Sequence, residues 1–172
     1  MKIKSVVFIL FIFLIITDCK KPDNDSVPNF KALKDGNEWI PSISSATLSL
    51  IDKEFEIHCL KRFSKYSDQE FFNLSFYVKD ISELMTVYKL NSSWLFVIGG
   101  DGISNRYNIV ADPENIIQII SLDTIKKQIS GTFNVKLLRD KFYQHAEDTM
   151  LFSDGNFSLK YLETHGYIST TK

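Results

Sequence analysis

Apolar and polar residues alternate along most of the chain. Over residues 54–60, Phe55, Ile57 and Cys59 occupy alternate positions, and acidic residues and a histidine occupy the positions between them. A period of two places these two sets on opposite faces of a strand. We therefore expect the apolar set to point into a core and the charged set to point outward.

Residues 71–78 show the same pattern. One face carries Phe72, Leu74, Phe76 and Val78, and the other carries Phe71, Asn73, Ser75 and Tyr77. Other short runs rich in β-branched and aromatic residues, bounded by Asp, Gly, Asn and Ser, indicate further strands. These are predicted at residues 46–51, 87–90, 93–98, 106–110, 116–122, 129–138 and 157–162, after a first hairpin within residues 30–40.

Short strands separated by turn signals at intervals of about ten residues are typical of all-β folds. The predicted fold is an antiparallel β-sandwich or barrel of about nine or ten short strands, with one or two short helical turns. Asp80 and Glu83 are three positions apart, which is the spacing of a capping box. This spacing predicts a short helical turn at residues 80–85. The polar stretch 139–149 leaves room for a second.

Glycine and asparagine mark the predicted connections. Residues 35–37 read Asp-Gly-Asn and predict a turn, as do the glycines of residues 99–102, and residues 123–128 predict a hairpin loop. Residues 154–156 repeat Asp-Gly-Asn, which we interpret as the same turn chemistry before the last strand. Gly131 lies inside a strand and predicts a close backbone approach or a bulge, hence a packing role.

The N-terminal segment differs from this pattern. Lys2 and Lys4 precede an unbroken apolar run of eleven residues, 6–16. A membrane-spanning helix needs about 20 such residues, whereas the apolar region of an export signal is shorter. Residues 1–18 are therefore predicted to be a signal peptide.

The apolar run leads into Cys19 without a small-x-small cleavage site. This segment resembles a bacterial lipobox, although Asp18 stands where a small residue is usual. The resemblance implies that Cys19 receives a diacylglycerol and that the chain is cut before it. Lys20 after the cysteine implies delivery to the outer membrane, facing the periplasm or the cell surface. The alternatives are an uncleaved N-terminal anchor and a secreted protein cut elsewhere.

Removal of residues 1–18 leaves 154 residues, enough for one domain with one core. Residues 19–29 are polar and contain two prolines, so they are predicted to form a flexible tether. Residues 30–172 form the predicted single β-sandwich domain. The formal net charge of the chain is −1 without strong clustering of basic residues, which argues against nucleic acid as a partner.

The sequence predicts no catalytic residue, metal site or cofactor. With Cys19 assigned to the lipid, Cys59 remains, and its place among alternating apolar residues indicates a buried side chain. His58, His145 and His165 show no metal-binding spacing, so a zinc site would have to be assembled entirely by tertiary structure.

Two pairs of residues suggest chemistry on the outward faces. Glu54 and Glu56 lie two apart on one strand, about 6.5–7 Å from each other, near the carboxyl separation of inverting glycosidases. The spacing alone implies no pocket, so a solvated face is the simpler interpretation. Phe71 and Tyr77 are candidate aromatics for contacting a ligand such as a sugar ring. They belong to the core instead if both faces of their strand are covered.

Several short motifs occur in a recognisable order. Residues 36–39 read Gly-x-x-Trp, residues 88–90 read Tyr-Lys-Leu, residues 129–133 read Ile-Ser-Gly-Thr-Phe, and residues 155–157 read Gly-x-Phe. In these motifs the chain resembles a group of small Bacteroidetes lipoproteins of unknown function. The resemblance implies a β-rich, lipid-anchored domain and brings no activity with it.

We expect a non-catalytic binding or interaction module of the cell envelope, held at the outer membrane by the lipid on Cys19. Its expected partners are the membrane, through the lipid, and a glycan or an envelope protein. One alternative is an envelope hydrolase that acts on glycans, and another is an inhibitor or immunity-type partner of a periplasmic enzyme. A glycan binder should show exposed aromatics in a row, whereas an inhibitor should present one protruding polar loop.

Overall fold

The fold is all-β. The computed structural model describes residues 29–63, 68–78, 87–99, 102–143 and 148–165, and these contain strands, turns and bends but no helix. No helix in this part of the chain is long and apolar enough to cross a membrane. The strands are β1 (Asn29–Lys34), β2 (Asn37–Trp39), β3 (Ile43–Ser49), β4 (Glu54–Arg62), β5 (Gln69–Tyr77), β6 (Val87–Lys89), β7 (Ser92–Gly99), β8 (Gly102–Ile109), β9 (Ile116–Asp123), β10 (Gln128–Arg139) and β11 (Thr149–Thr164).

All eleven strands belong to one sheet, in the order β2-β1-β11-β3-β4-β5-β7-β8-β10-β9-β6, with an additional pairing between β11 and β10. The pairings are antiparallel except that of β11 with β3. They form a closed circuit, because β3, β4, β5, β7, β8, β10 and β11 pair in turn and β11 pairs with β3 again. One hydrophobic cluster draws on every strand of this circuit.

The two longest strands, β10 and β11, connect the parts of the sheet. β9 pairs with the first half of β10 and β8 pairs with its last residues. β1 pairs with the middle of β11, and β3 pairs with its end, Tyr161 to Thr164. The hairpin β1–β2 and the pair β9–β6 therefore attach to the circuit through β11 and β10.

Two glycines and two phenylalanines join β10 to β11 reciprocally. Gly131 lies opposite Phe157, and Phe133 lies opposite Gly155. A Cβ atom on Gly131 would lie 2.7 Å from Cζ of Phe157 and would overlap the carbonyl oxygen of Gln118 on β9. A Cβ atom on Gly155 would overlap the ring of Phe133. Each phenyl ring thus covers the glycine on the facing strand, so the predicted packing role of Gly131 is confirmed.

The prediction of a turn at residues 154–156 is wrong, since these residues continue β11. The pairing of β10 with β11 shifts register between Phe133 and Val135, as in a β-bulge. Asp154 absorbs the extra residue with a φ of 50°, and its backbone N–H donates to Oδ1 of Asn134 at 3.1 Å. Aspartate tolerates this left-handed backbone. The dipeptide Asp-Gly therefore forms a bulge at residues 154–155 and a turn at residues 35–36.

The turn at Asp35 and Gly36 is confirmed. Their φ angles are 49° and 79°, as the two-residue loop of a right-twisted hairpin requires. The loop brings Trp39 into the core, where it is 2% exposed. Its Nε1 donates to Oε2 of the buried Glu70 at 2.6 Å, and Glu70 also pairs with Lys34. The first hairpin is thereby fixed to β5.

Other sequence predictions have mixed outcomes. The loop at residues 123–128 is confirmed, with a turn over 124–127. The helical option in residues 139–149 is wrong for the described residues, because Asp140 accepts from the backbone N–H groups of Phe142 and Tyr143 in a local turn. The predicted helical turn at residues 80–85 lies outside the described residues, as do Gly100 and Asp101.

The in-and-out pattern of β4 and β5 is confirmed. Phe55, Ile57 and Cys59 are buried, whereas Glu54, Glu56 and His58 are half-buried on the opposite face. The inward face of β5 is completely buried at Phe72, Leu74 and Phe76. The outward face of β5 is itself mostly covered, because Asn73 and Ser75 are also buried.

Replacing Gly131 by alanine should lower the free energy of unfolding by about 1–3 kcal/mol, because the added methyl group overpacks the junction of β9, β10 and β11. Urea denaturation followed by tryptophan fluorescence would measure this. Gly102→Ala is the matched control, since no atom lies within 4 Å of its added Cβ. Equal effects of the two substitutions would contradict the packing role of Gly131.

Burial raises the pKa of the Cys59 thiol well above its ordinary value. Below about pH 8.5 the thiol is protonated in both the folded and the unfolded chain, and its full contribution to stability is present. As the pH rises above this value, the thiol ionises in the unfolded chain before it does so in the folded protein. This contribution is therefore lost as the pH approaches the folded pKa. The free energy of unfolding should therefore fall with pH above about 8.5, by up to about 1.4 kcal/mol per unit. Cys59→Ala should remove this part of the slope, which denaturation at several pH values would measure. Parallel slopes for the two proteins would contradict the prediction.

Candidate functional site

The outward faces of β3, β4, β5 and β7 form one continuous surface, because the strand register aligns their alternate residues in rows. One row contains Ser45, His58, Asn73 and Trp94, and the next contains Thr47, Glu56, Ser75 and Ser92. Directly paired residues have Cβ atoms about 4.5–5.5 Å apart. Asn73 and Ser75 are buried in these rows, but partly exposed side chains on either side of them, such as His58 and Trp94, can act on the same ligand.

A cleft of about 580 Å³ lies over the polar outward residues of β3 and β4 and extends to the end of β11. Its lining combines three carboxylates, two histidines and three hydroxyl groups. We call this the acidic cleft, and its lining residues are Thr47, Ser49, Asp52, Glu54, Glu56, His58, Thr164 and His165. From the sequence alone, the simpler interpretation of Glu54 and Glu56 is a solvated strand face without a pocket. In the structure, this face forms one wall of a concave site.

Neighbouring side chains hold two of the carboxylates in place. Glu54 accepts hydrogen bonds from the hydroxyl of Ser75 on β5 and from Nδ2 of Asn91 at 3.0 Å. Asp52 accepts from the hydroxyl of Ser49 at 2.8 Å, so it is tied to the end of β3. Because these donors are neutral, the hydrogen bonds place no positive charge beside either carboxylate.

His58 connects Glu56 to β5. Nδ2 of Asn73 lies 3.1 Å from Nδ1 of His58, and Nε2 of His58 lies 3.3 Å from Oε2 of Glu56. An amide nitrogen can only donate, so Nδ1 accepts and the ring proton of a neutral His58 lies on Nε2, toward Glu56. The orientation of the imidazole is thus fixed from both sides.

A smaller apolar depression of about 170 Å³ adjoins the cleft. Its walls come mostly from outward residues of β3, β4, β5 and β7, and the buried Cys59 and Phe72 lie at its base. We call it the aromatic groove, and its lining residues are Ile43, Ser45, His58, Cys59, Leu60, Phe71, Phe72 and Trp94. His58 lines both depressions, so the groove and the cleft form one extended site.

Stacked rings continue the groove along β7. The rings of Trp94 and Phe96 lie 4.3 Å apart at an angle of 23°. The guanidinium of Arg106 on β8 lies 5.2 Å from the centre of the Phe96 ring. Phe71 pairs directly with Phe96 across β5 and β7. Three aromatic residues therefore stand side by side on the outside of the sheet.

The structure separates the two aromatics proposed from the sequence. Phe71 lies in the aromatic groove. Tyr77 is 52% exposed and pairs with Glu54 at the other end of the surface. Six residues separate them along β5, which corresponds to about 20 Å. They do not line one site together, although both face outward as expected.

Sequence reasoning did not assign Trp94 and Phe96 to a site, and it did not predict the contacts of His58. Trp94 and Phe96 lie in a strand with apolar residues on both faces, so periodicity could not show that they point outward. His58 was recognised as outward, but its role depends on Asn73 from the neighbouring strand. Ser93 and Leu95 alternate with the two aromatics and are buried, so the outward direction of Trp94 and Phe96 follows from the structure and has no clear signal in the sequence.

The tertiary fold brings His58 and His165 into the acidic cleft, whereas His145 lies outside the described residues. In the described part of the chain, no group of three or more His, Cys, Asp and Glu residues is placed to hold a metal ion. The site can instead offer ring faces for apolar contact, carboxylates that accept hydrogen bonds, and negative charge.

Comparison with known proteins adds no assignment. No protein-family model matches this chain, and no curated protein and no solved structure matches it significantly. The similarity to small Bacteroidetes lipoproteins therefore stays a prediction from the sequence motifs.

Proposed function

We propose that this protein is a non-catalytic glycan-binding module of the cell envelope, held at the outer membrane by a lipid on Cys19. The observation that supports the binding role is the meeting of the aromatic groove and the acidic cleft at His58. A row of outward aromatics is the feature that distinguishes a glycan binder from an inhibitor. Phe71, Trp94 and Phe96 supply this row.

A sugar ring presents apolar C–H faces and a rim of hydroxyl groups. Rigid aromatic rings can cover such a face with little loss of side-chain entropy. Carboxylates and hydroxyl groups beside them can bind the rim, and such a combination of apolar walls with a few fixed polar groups is typical of ligand sites. The groove and the cleft together provide both kinds of contact.

The lipobox-like segment ending at Cys19 supports the location. Each buried methylene of an acyl chain contributes about 0.8 kcal/mol, so two or more chains give a stable anchor. The polar tether of residues 19–29 would then hold the domain close to the membrane without inserting it. For the fold itself, the closed circuit of seven paired strands favours the barrel over the sandwich.

A glycan hydrolase is the second candidate, because Glu54 and Glu56 line one cleft. Glu54 is held by Ser75 and Asn91, and Glu56 by His58. These contacts serve a binding surface equally well, so we place hydrolysis second. The inhibitor alternative depends on a protruding polar loop, and residues 64–67 and 79–86 lie outside the described residues.

Lipidation of Cys19 can be tested by growing cells that produce the protein with a clickable palmitate analogue. The wild-type protein should be labelled and shortened by residues 1–18, and Cys19→Ala should be neither labelled nor processed, because it lacks the thiol acceptor. Label on the alanine variant, or an unlabelled wild-type protein, would contradict the lipid anchor. The protein would then be secreted or held by an uncleaved N-terminus.

Binding can be tested with a panel of bacterial cell-wall and plant oligosaccharides, by titration calorimetry. At least one oligosaccharide should bind, and Trp94→Ala should weaken its binding about tenfold, since an aromatic contact contributes about 0.5–1.5 kcal/mol beyond its buried area. Phe142→Ala is the matched control, because Phe142 is 92% exposed and outside the site.

The same samples separate the two candidate functions. Release of new reducing ends by the wild-type protein, abolished in the double variant Glu54→Gln and Glu56→Gln, would establish hydrolysis instead of simple binding. Binding without turnover would support the module. If no oligosaccharide in the panel binds, the glycan-binding proposal is wrong.

A further inference from the structure

We propose that the groove and cleft select saccharides that carry protonated amino groups, with the sugar ring on the aromatic residues and its ammonium group in the acidic cleft. This inference rests on the proposed function and specifies its ligand class.

The charge of the cleft is complementary to a cation. Asp52, Glu54 and Glu56 line it, and among the described residues no lysine or arginine does. The whole chain carries 20 basic and 21 acidic residues, so this local excess of negative charge contrasts with a nearly neutral protein. Concave surfaces lined by one sign of charge concentrate the electric field and attract oppositely charged ligands.

The carboxylates also have hydrogen-bonding capacity to spare. Within the described part of the chain, their side-chain hydrogen bonds and ion pairs use one oxygen of each: Oδ2 of Asp52, Oε1 of Glu54 and Oε2 of Glu56. An ammonium group has three donors and no acceptor, so it matches this set. A charge-assisted bond to a carboxylate is about twice as strong as a neutral one.

The distance between the two parts indicates an oligosaccharide. Glu56 and Trp94 are separated by two strand spacings and by one row of the sheet. With about 4.8 Å between strands and about 3.4 Å of rise per residue, their Cα atoms lie about 12 Å apart. This exceeds the length of one sugar ring, so a chain with a ring at Trp94 and an amine on a neighbouring unit spans the site.

The test compares three oligosaccharides of equal length by titration calorimetry with the full chain. They are a tetramer of glucosamine, the same tetramer fully N-acetylated, and cellotetraose, at a pH where the free amines are protonated. The glucosamine tetramer should bind at least about tenfold more tightly than either neutral tetramer. This preference should shrink as salt is raised, because exposed charges are screened.

Glu56→Gln should reduce the preference for the amine over the neutral tetramers to about threefold or less, because it removes one of the negative charges that face the ammonium group. The side chain of Glu56 is 46% exposed, and glutamine has nearly the same shape, so the variant should fold. Glu114→Gln is the control, since it removes the same charge at an exposed position outside the site.

The outcomes distinguish the inference from the function on which it rests. If the neutral tetramers bind as tightly as the glucosamine tetramer, the amine preference is wrong and glycan binding stands. If none of the three binds and the wider panel also fails, both are wrong. If tetralysine binds as tightly as the glucosamine tetramer and Trp94→Ala weakens neither, the cleft recognises charge alone and the inference is wrong.

Discussion

The structure depends on the contact between β10 and β11, where Phe133 and Phe157 each lie over a glycine of the facing strand. A glycine in a strand normally weakens it, because it loses more conformational freedom and leaves nothing to pack. Here the two rings fill the space that the missing side chains leave, and the backbones of three strands approach closely. Since β10 and β11 carry the pairings to β1, β3, β8 and β9, this contact determines how the circuit closes.

Fixing this register also fixes the outer surface. Side chains alternate between the two faces of a strand, so a slip of one residue would exchange the buried and the outward sets. The bulge at Asp154 absorbs one residue without such an exchange, because Phe152 before it and Phe157 after it both remain buried. The position of Glu54, Glu56 and His58 outside the sheet is therefore a consequence of packing inside it. The site requires no separate scaffold.

Sequence periodicity predicts this fold where one face of a strand is clearly polar. Phe55, Ile57 and Cys59 could be assigned to the core because polar and charged residues separate them. The turn at Asp35 and Gly36 could be assigned because a two-residue hairpin loop needs positive φ angles, which glycine adopts readily. The dipeptide Asp154-Gly155 was misinterpreted, since a left-handed aspartate suits a bulge as well as a turn. Periodicity also could not orient Trp94 and Phe96, because both faces of β7 carry apolar residues. The site itself depends on cross-strand neighbours such as Glu56 and Ser75, which are 19 positions apart in the sequence.

Apolar and acidic side chains on the outer surface are separated more sharply than folding alone requires. The inward residues already form a continuous core, and outward positions of a sheet need only be soluble. On β4 and β5, however, apolar residues gather at one end, near Leu60 and Phe71, and carboxylates gather at the other, near Glu54. Trp94 and Phe96 extend the apolar end to the next strand. Partly exposed aromatic rings leave some apolar surface in water, at about 25 cal/mol for each Å². Covering that surface with a ligand would recover this free energy, whereas a uniformly polar face would have none to recover. This segregation of apolar and acidic side chains along the same strands is therefore better explained by a ligand with an apolar face and a charged group than by the stability of the fold.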